Sequence, residues 1–133
     1  MGLKPIHQSR YVLLGRWLLA SIFILAGLAK LASTEVVTAG HLASEGLPLD
    51  RMPTLLIGGF ELIVGFCLGL GVRLRWTAPA LAISTIITSL LFHQFWAVAP
   101  EFQFAQQLLF MKNIGLAGGL LLAAGASANI TRT

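Results

Sequence analysis

Four long apolar stretches divided by short polar breaks organise this chain. They run from about Tyr11 to Leu31, Pro53 to Gly71, Trp76 to Trp96 and Ala105 to Ala124. Each is near the roughly 20 residues that cross a hydrocarbon core. Helix is the open-ended way for such segments to satisfy their backbone in lipid. The pattern therefore predicts an all-α, polytopic membrane protein: a four-transmembrane-helix bundle in one domain, with helices over about 11–31, 53–71, 76–96 and 105–124.

The breaks differ in kind. Only Val-Arg-Leu-Arg separates the second and third runs, which predicts a tight turn. The segment from Ala32 to Met52 is longer and reads as carrying a short amphipathic helix. Thr34 is its cap, Glu35 suits its first turn, Val36, Ala39, Ala43 and Leu47 recur at helical spacing, and Gly46 and Pro48 end it. Pro79 is read as lying in the first turn of the third helix, where it costs no hydrogen bond. The first run has basic residues before an apolar core, as a signal peptide does. It is too long for one and ends in a poorly made cleavage site, so it reads as a retained helix.

Composition agrees. Of 133 residues, 56% are hydrophobic and 11% charged, with a mean hydropathy of +0.84. Soluble domains carry about 25% charged residues, so this surface faces lipid. The net charge of +4 forms no patch or stripe, which argues against nucleic acid. Lys and Arg sit singly at the ends of the runs and report topology. With both termini inside, Lys4, Arg10, Arg16, Arg73, Arg75 and Arg132 fall on the inner side and Lys30, Arg51 and Lys112 on the outer. Both termini are thus expected in the cytoplasm. Arg16 reads as snorkelling to lipid phosphate. Trp17, Trp76 and Trp96 sit where an interfacial belt would place them.

Polar groups inside the runs are the candidate chemistry, because charge in a span marks a site or a buried pairing. Glu61 is eight residues into the second run, about 12 Å deep, and Lys112 seven residues into the fourth, about 10 Å deep. Lys30 and His93 close the first and third runs, and Gln94, Gln106, Gln107 and Asn113 add amides to the same half. Glu61 shares a helical face with Gly58, Gly65 and Gly69, and Lys112 shares one with Gly115 and Gly119. Small-residue faces of this kind let membrane helices approach closely. Thr85, Ser89 and His93 form a polar stripe on the third helix.

The plainer reading of the cluster is a structural ion pair between Glu61 and Lys112. The functional reading is a shallow polar pocket built from Lys30, Glu61, His93, Lys112 and Asn113, open outward, for a proton, a small anion or a quinone head group. No metal-ligand spacing, nucleophile elbow or phosphate loop appears, and no catalytic residue is assigned. Cys67, the one cysteine, reads as apolar filler and excludes a two-cysteine relay.

Several blocks resemble the DoxX family of small bacterial membrane proteins. They are Gly15-Arg16 through Gly27 and Lys30, Gly46-Leu-Pro48, Glu61, Gly71-Val-Arg73, His93-Gln-Phe-Trp96, and Phe110-Met-Lys112-Asn113 through Gly118-Gly119. The resemblance covers roughly Gly15 to Gly125. It implies a four-helix inner-membrane protein. It also implies redox company, since relatives are linked to thiosulfate:quinone oxidoreduction, with quinone as the candidate cofactor and redox proteins or further copies of the chain as partners. The readings from another class are a small carrier or channel and a non-catalytic assembly or anchoring protein.

Overall fold

The computed structural model describes residues 10–32 and 51–128, the side chains of 51–54 and 128 excepted. Among them are four helices: α1 Arg10–Ala32, α2 Arg51–Leu70, α3 Leu74–Phe92 and α4 Pro100–Ala128. Three are long and apolar enough to cross a membrane, and the apolar part of α2 seen here, Leu55–Leu70, is shorter. The whole of α2 has 20 residues and extends about 30 Å. Leu18, Leu25, Ile63, Leu70, Ile83 and Leu122 all point outward, as in a protein solvated by lipid rather than water. The expected amphipathic helix over 34–47 lies outside the described residues.

The bundle consists of two antiparallel hairpins, α1 with α2 and α3 with α4, joined by a lighter α2–α3 contact and touching again where α1 meets α4. Glycine governs the first hairpin. A Cβ at Gly27 would lie 2.6 Å from the Gly58 carbonyl oxygen and 2.7 Å from the Leu62 nitrogen, so the two backbones meet there. Gly65 lies against Phe23 and Ile24, and Gly69 lies under the Trp17 ring. Trp17 is thus partly a packing residue rather than purely an interfacial one. Ala20, Phe23, Leu68, Leu74, Ala78, Leu81, Ala82, Ala117 and Leu120 form the core between the hairpins.

The joint between α2 and α3 is built on Gly71. Val72 N–H donates to the Cys67 carbonyl at 2.8 Å and Gly71 N–H to the Leu68 carbonyl at 3.1 Å, the paired bonds of a Schellman helix end. That motif needs a left-handed residue, and Gly71 has φ +79°. Arg73 is also left-handed, at φ 47°, and α3 starts from it. The Thr77 hydroxyl donates to the Val72 and Arg73 carbonyls, tying the new helix to the turn.

Arg16 corrects the snorkelling expectation. It is 5% exposed, and its guanidinium lies against Gly71, where a Cβ would come within 2.7 Å of Nη1. A cation at the C-terminal end of α2 meets the negative end of the helix dipole. Pro79 is also placed differently: α3 begins at Leu74, so the proline is the sixth helical residue and removes one helical hydrogen bond.

Gly71→Ala should lower stability by about 1–2 kcal/mol, from the left-handed backbone alone, before the contact with Arg16 is counted. Gly59→Ala, where a Cβ would meet nothing within 4 Å, should be neutral or stabilising. Unfolding of the two variants in bicelles distinguishes them.

Candidate functional site

The polar groups fall into two places, one in each hairpin. In the first, Lys30 Nζ donates to Glu61 Oε2 at 2.6 Å. The pair follows from the Gly27–Gly58 crossing. Lys30 lies one turn beyond Gly27 and Glu61 one turn beyond Gly58, on strands of chain running in opposite directions. Helical side chains lean toward their own N-terminus, so the two lean toward each other and meet at the crossing. The Glu61 side chain is 9% exposed and that of Lys30 26%.

This overturns the expected pairing of Glu61 with Lys112. Glu61 is ten residues, about 15 Å, beyond the first residue of α2. Yet α2 overshoots α1, so the carboxylate sits beside the last turns of α1, where Lys30 is. Lys112 is exposed on α4 and has no ion pair among the described residues. Gly115 beside it, expected on a packing face, has nothing within 4 Å, whereas Gly119 touches Leu19 of α1.

The second place is the seam between α3 and α4. His93 terminates α3, its N–H donating to the Ser89 carbonyl at 3.0 Å. Its ring Nδ1 lies 2.9 Å from Gln106 Oε1 on α4. With Gln106 Oε1 as the acceptor, Nδ1 carries the proton of this bond, and Nε2 makes no hydrogen bond among the described residues. Three aromatic rings stand edge to face at this end. Phe95 and Trp96 are 5.0 Å apart, Phe95 and Phe110 5.5 Å, and Trp96 and Phe110 5.9 Å. Phe110 is one turn along α4 from Gln106, and His93, Phe95 and Trp96 share the connector, so bond and aromatic cluster belong to one structure.

Deeper in the same seam the polar stripe continues. The buried Thr85 hydroxyl donates to the Leu81 carbonyl at 2.7 Å. Ser89 is wholly buried, and its hydroxyl has no hydrogen-bond partner among the described residues. Asn113 is half-buried two turns along α4 from Gln106 and on the same face, a depth between those of Ser89 and Thr85. The five proposed pocket residues therefore do not form one network among the described residues: Lys30 joins Glu61, His93 joins Gln106, and Lys112 stands apart. Ser89 was read in the polar stripe and Gln106 among the amides of this half, but the pairing of Gln106 with His93 and the complete burial of Ser89 were not read from sequence. The signal available was their i, i+4 spacing to His93 and Phe110. Among the described residues no three His, Cys, Asp or Glu side chains come together.

The DoxX family model matches residues 11–94, which takes in α1, α2, α3 and the His93 cap. The chain belongs to the DoxX family. Two proteins of Escherichia coli (strain K12) are similar along most of their length. Inner membrane protein YqjF is 32% identical over 117 residues, covering 85% of this chain and 81% of its own. Inner membrane protein YphA is 26% identical over 113 residues, covering 85% of this chain and 80% of its own. No solved structure matches. For a DoxX protein, the geometry pairs two of the resembling blocks directly: Arg16 of the opening helix lies on Gly71 of the turn.

Breaking the ion pair should be costly in proportion to burial. Lys30→Met leaves Glu61 unpartnered and should cost roughly 3 kcal/mol, more than Glu61→Leu, which leaves the better exposed lysine. A double-mutant cycle in bicelles should show coupling of Lys30 with Glu61 and none of Lys112 with Glu61.

Proposed function

We propose that this DoxX protein is a small subunit of a redox system in a bacterial inner membrane, and that it binds a quinone head group at the His93 end of the α3–α4 seam. The observation that carries this reading is the His93–Gln106 bond inside an aromatic cluster. With Nδ1 occupied by Gln106, Nε2 accepts from a quinol hydroxyl when the ring is neutral and donates to a quinone carbonyl when it is charged. Trp96, 54% exposed, and the rings beside it offer faces to a planar head group, whose tail would lie in lipid. The unpartnered Ser89 hydroxyl one turn deeper is a further polar group for such a ligand.

The two similar inner membrane proteins of Escherichia coli support inner-membrane residence. The surplus of Lys and Arg on the Arg16–Arg75 side supports cytoplasmic termini, which puts the His93 end outside. A second reading, a non-catalytic assembly protein, is favoured by the open face of α4, where Gly115, Gly118 and Gly125 have nothing within 4 Å and a neighbouring membrane helix could seat.

Quinone retained after purification into native nanodiscs distinguishes the two. The quinone reading expects retention in the wild type. It also expects loss in His93→Leu and Gln106→Leu, with helix content unchanged, and labelling of residues 93–110 by an azido-quinone. Equal quinone content in the wild type and both variants, with no labelling there, would overturn it.

A further inference from the structure

A separate feature lies on the other side of α4. We propose that the seam between α1 and α4 binds the phosphate of an anionic phospholipid, with Lys112 as its cation. The contact of Gly119 with Leu19 marks where the two helices touch, since a Cβ there would lie 3.4 Å from a Leu19 methyl. Lys112 is seven residues before Gly119, two turns and about 10 Å along α4, and within about 20° of the same face. Lys30 is eleven residues after Leu19, three turns and about 16 Å along α1, again within about 20°. The helices run antiparallel, so both lysines lie along this one seam, on the side of the contact toward the His93 end.

Their situations differ. Glu61 reaches Lys30 from α2 and neutralises it. Lys112 is exposed, and the described residues give it neither a hydrogen bond nor an ion pair. An ammonium within an apolar span needs a partner or a path to the interface. The Lys112 side chain leans toward the start of α4, which carries its charge roughly one turn toward the His93 end, near the level at which Lys30 leaves the α1 backbone. There, among the described residues, the seam holds two cations and one carboxylate, a surplus of one positive charge.

The surroundings indicate what brings the balancing anion. Ile22 and Ala26 on α1 are half-buried along the seam, Leu108 on α4 is exposed, and Gly115 leaves open space beside Lys112. An anion with an apolar body fits such walls, and a free hydrated anion does not. A phospholipid supplies both parts: a singly charged phosphodiester at the lysine level and an acyl chain along the apolar walls below.

Native mass spectrometry of the whole protein in mild detergent, titrated with phosphatidylglycerol or phosphatidylcholine, tests this. The expected result is a preference for phosphatidylglycerol that falls about five-fold in Lys112→Met and in Lys112→Gln and persists in Lys112→Arg, matching the attraction of one basic residue for anionic lipid. Arg75→Gln, at the opposite end, should leave that preference unchanged. Inorganic phosphate at millimolar concentration should not displace the lipid. An unchanged preference in both neutral Lys112 variants, or displacement by inorganic phosphate, would overturn the proposal.

Discussion

A carboxylate inside a membrane helix must have a partner, and the arrangement of α1 and α2 follows from how Glu61 gets one. Its side chain is almost fully buried, so no path to water relieves it. The partner, Lys30, reaches it because Gly27 and Gly58 let two backbones meet and because the two side chains lean in opposite directions along the bundle. Close approach at that crossing also brings Phe23 onto Gly65 and Trp17 onto Gly69 farther along. At the far end of the same interface Arg16 arrives beside Gly71, and the hairpin is held by charge near both ends of its contact. From that joint the chain turns through Gly71–Arg73 into α3.

The second hairpin is organised around uncharged polar groups. His93 and Gln106 bridge its open end, Thr85 satisfies itself against its own helix, and Ser89 is buried with its hydroxyl unused. An unused buried hydroxyl costs stability, on the order of 1–3 kcal/mol, and most interiors avoid one. The first hairpin thus spends its polar groups on its own cohesion, while the second keeps Nε2 of His93 and Oγ of Ser89 available. That division is the physical basis of the proposed head-group site between α3 and α4, with Lys30 and Glu61 holding the first hairpin together.

Much of this was legible from hydropathy. The four helices, three of them long and apolar enough to cross a membrane, the tight second turn, and the small-residue face of Glu61 with Gly58, Gly65 and Gly69 all follow from apolar periodicity. The partner of Glu61 did not. Depth counted from the ends of apolar runs matched it to Lys112, because that count assumes helices that start and stop at common planes. Here α2 overshoots α1, and α4 begins at Pro100, five residues before its apolar run. Arg16 was misread for a related reason: an arginine near the end of a span looks alike whether it reaches lipid phosphate or a helix terminus, and only the fold brings Gly71 to it. Pro79 moved from the first turn to the second because Arg73, in a left-handed conformation, starts α3 earlier than the apolar pattern indicates. The His93–Gln106 bond joins residues 13 apart in sequence across a turn whose geometry periodicity does not encode.

The partner of Glu61 is therefore the point on which the account stands, and solid-state NMR can measure it in a bilayer. The chain has three lysines, Lys4, Lys30 and Lys112. With ¹⁵N on lysine Nζ and ¹³C on glutamate Cδ, nitrogen–carbon dipolar dephasing reports a directly bonded ion pair. One lysine signal should dephase strongly, vanish in Lys30→Met and persist in Lys112→Met. Dephasing that survives Lys30→Met and disappears in Lys112→Met would contradict the structure and restore the pairing that depth alone suggests.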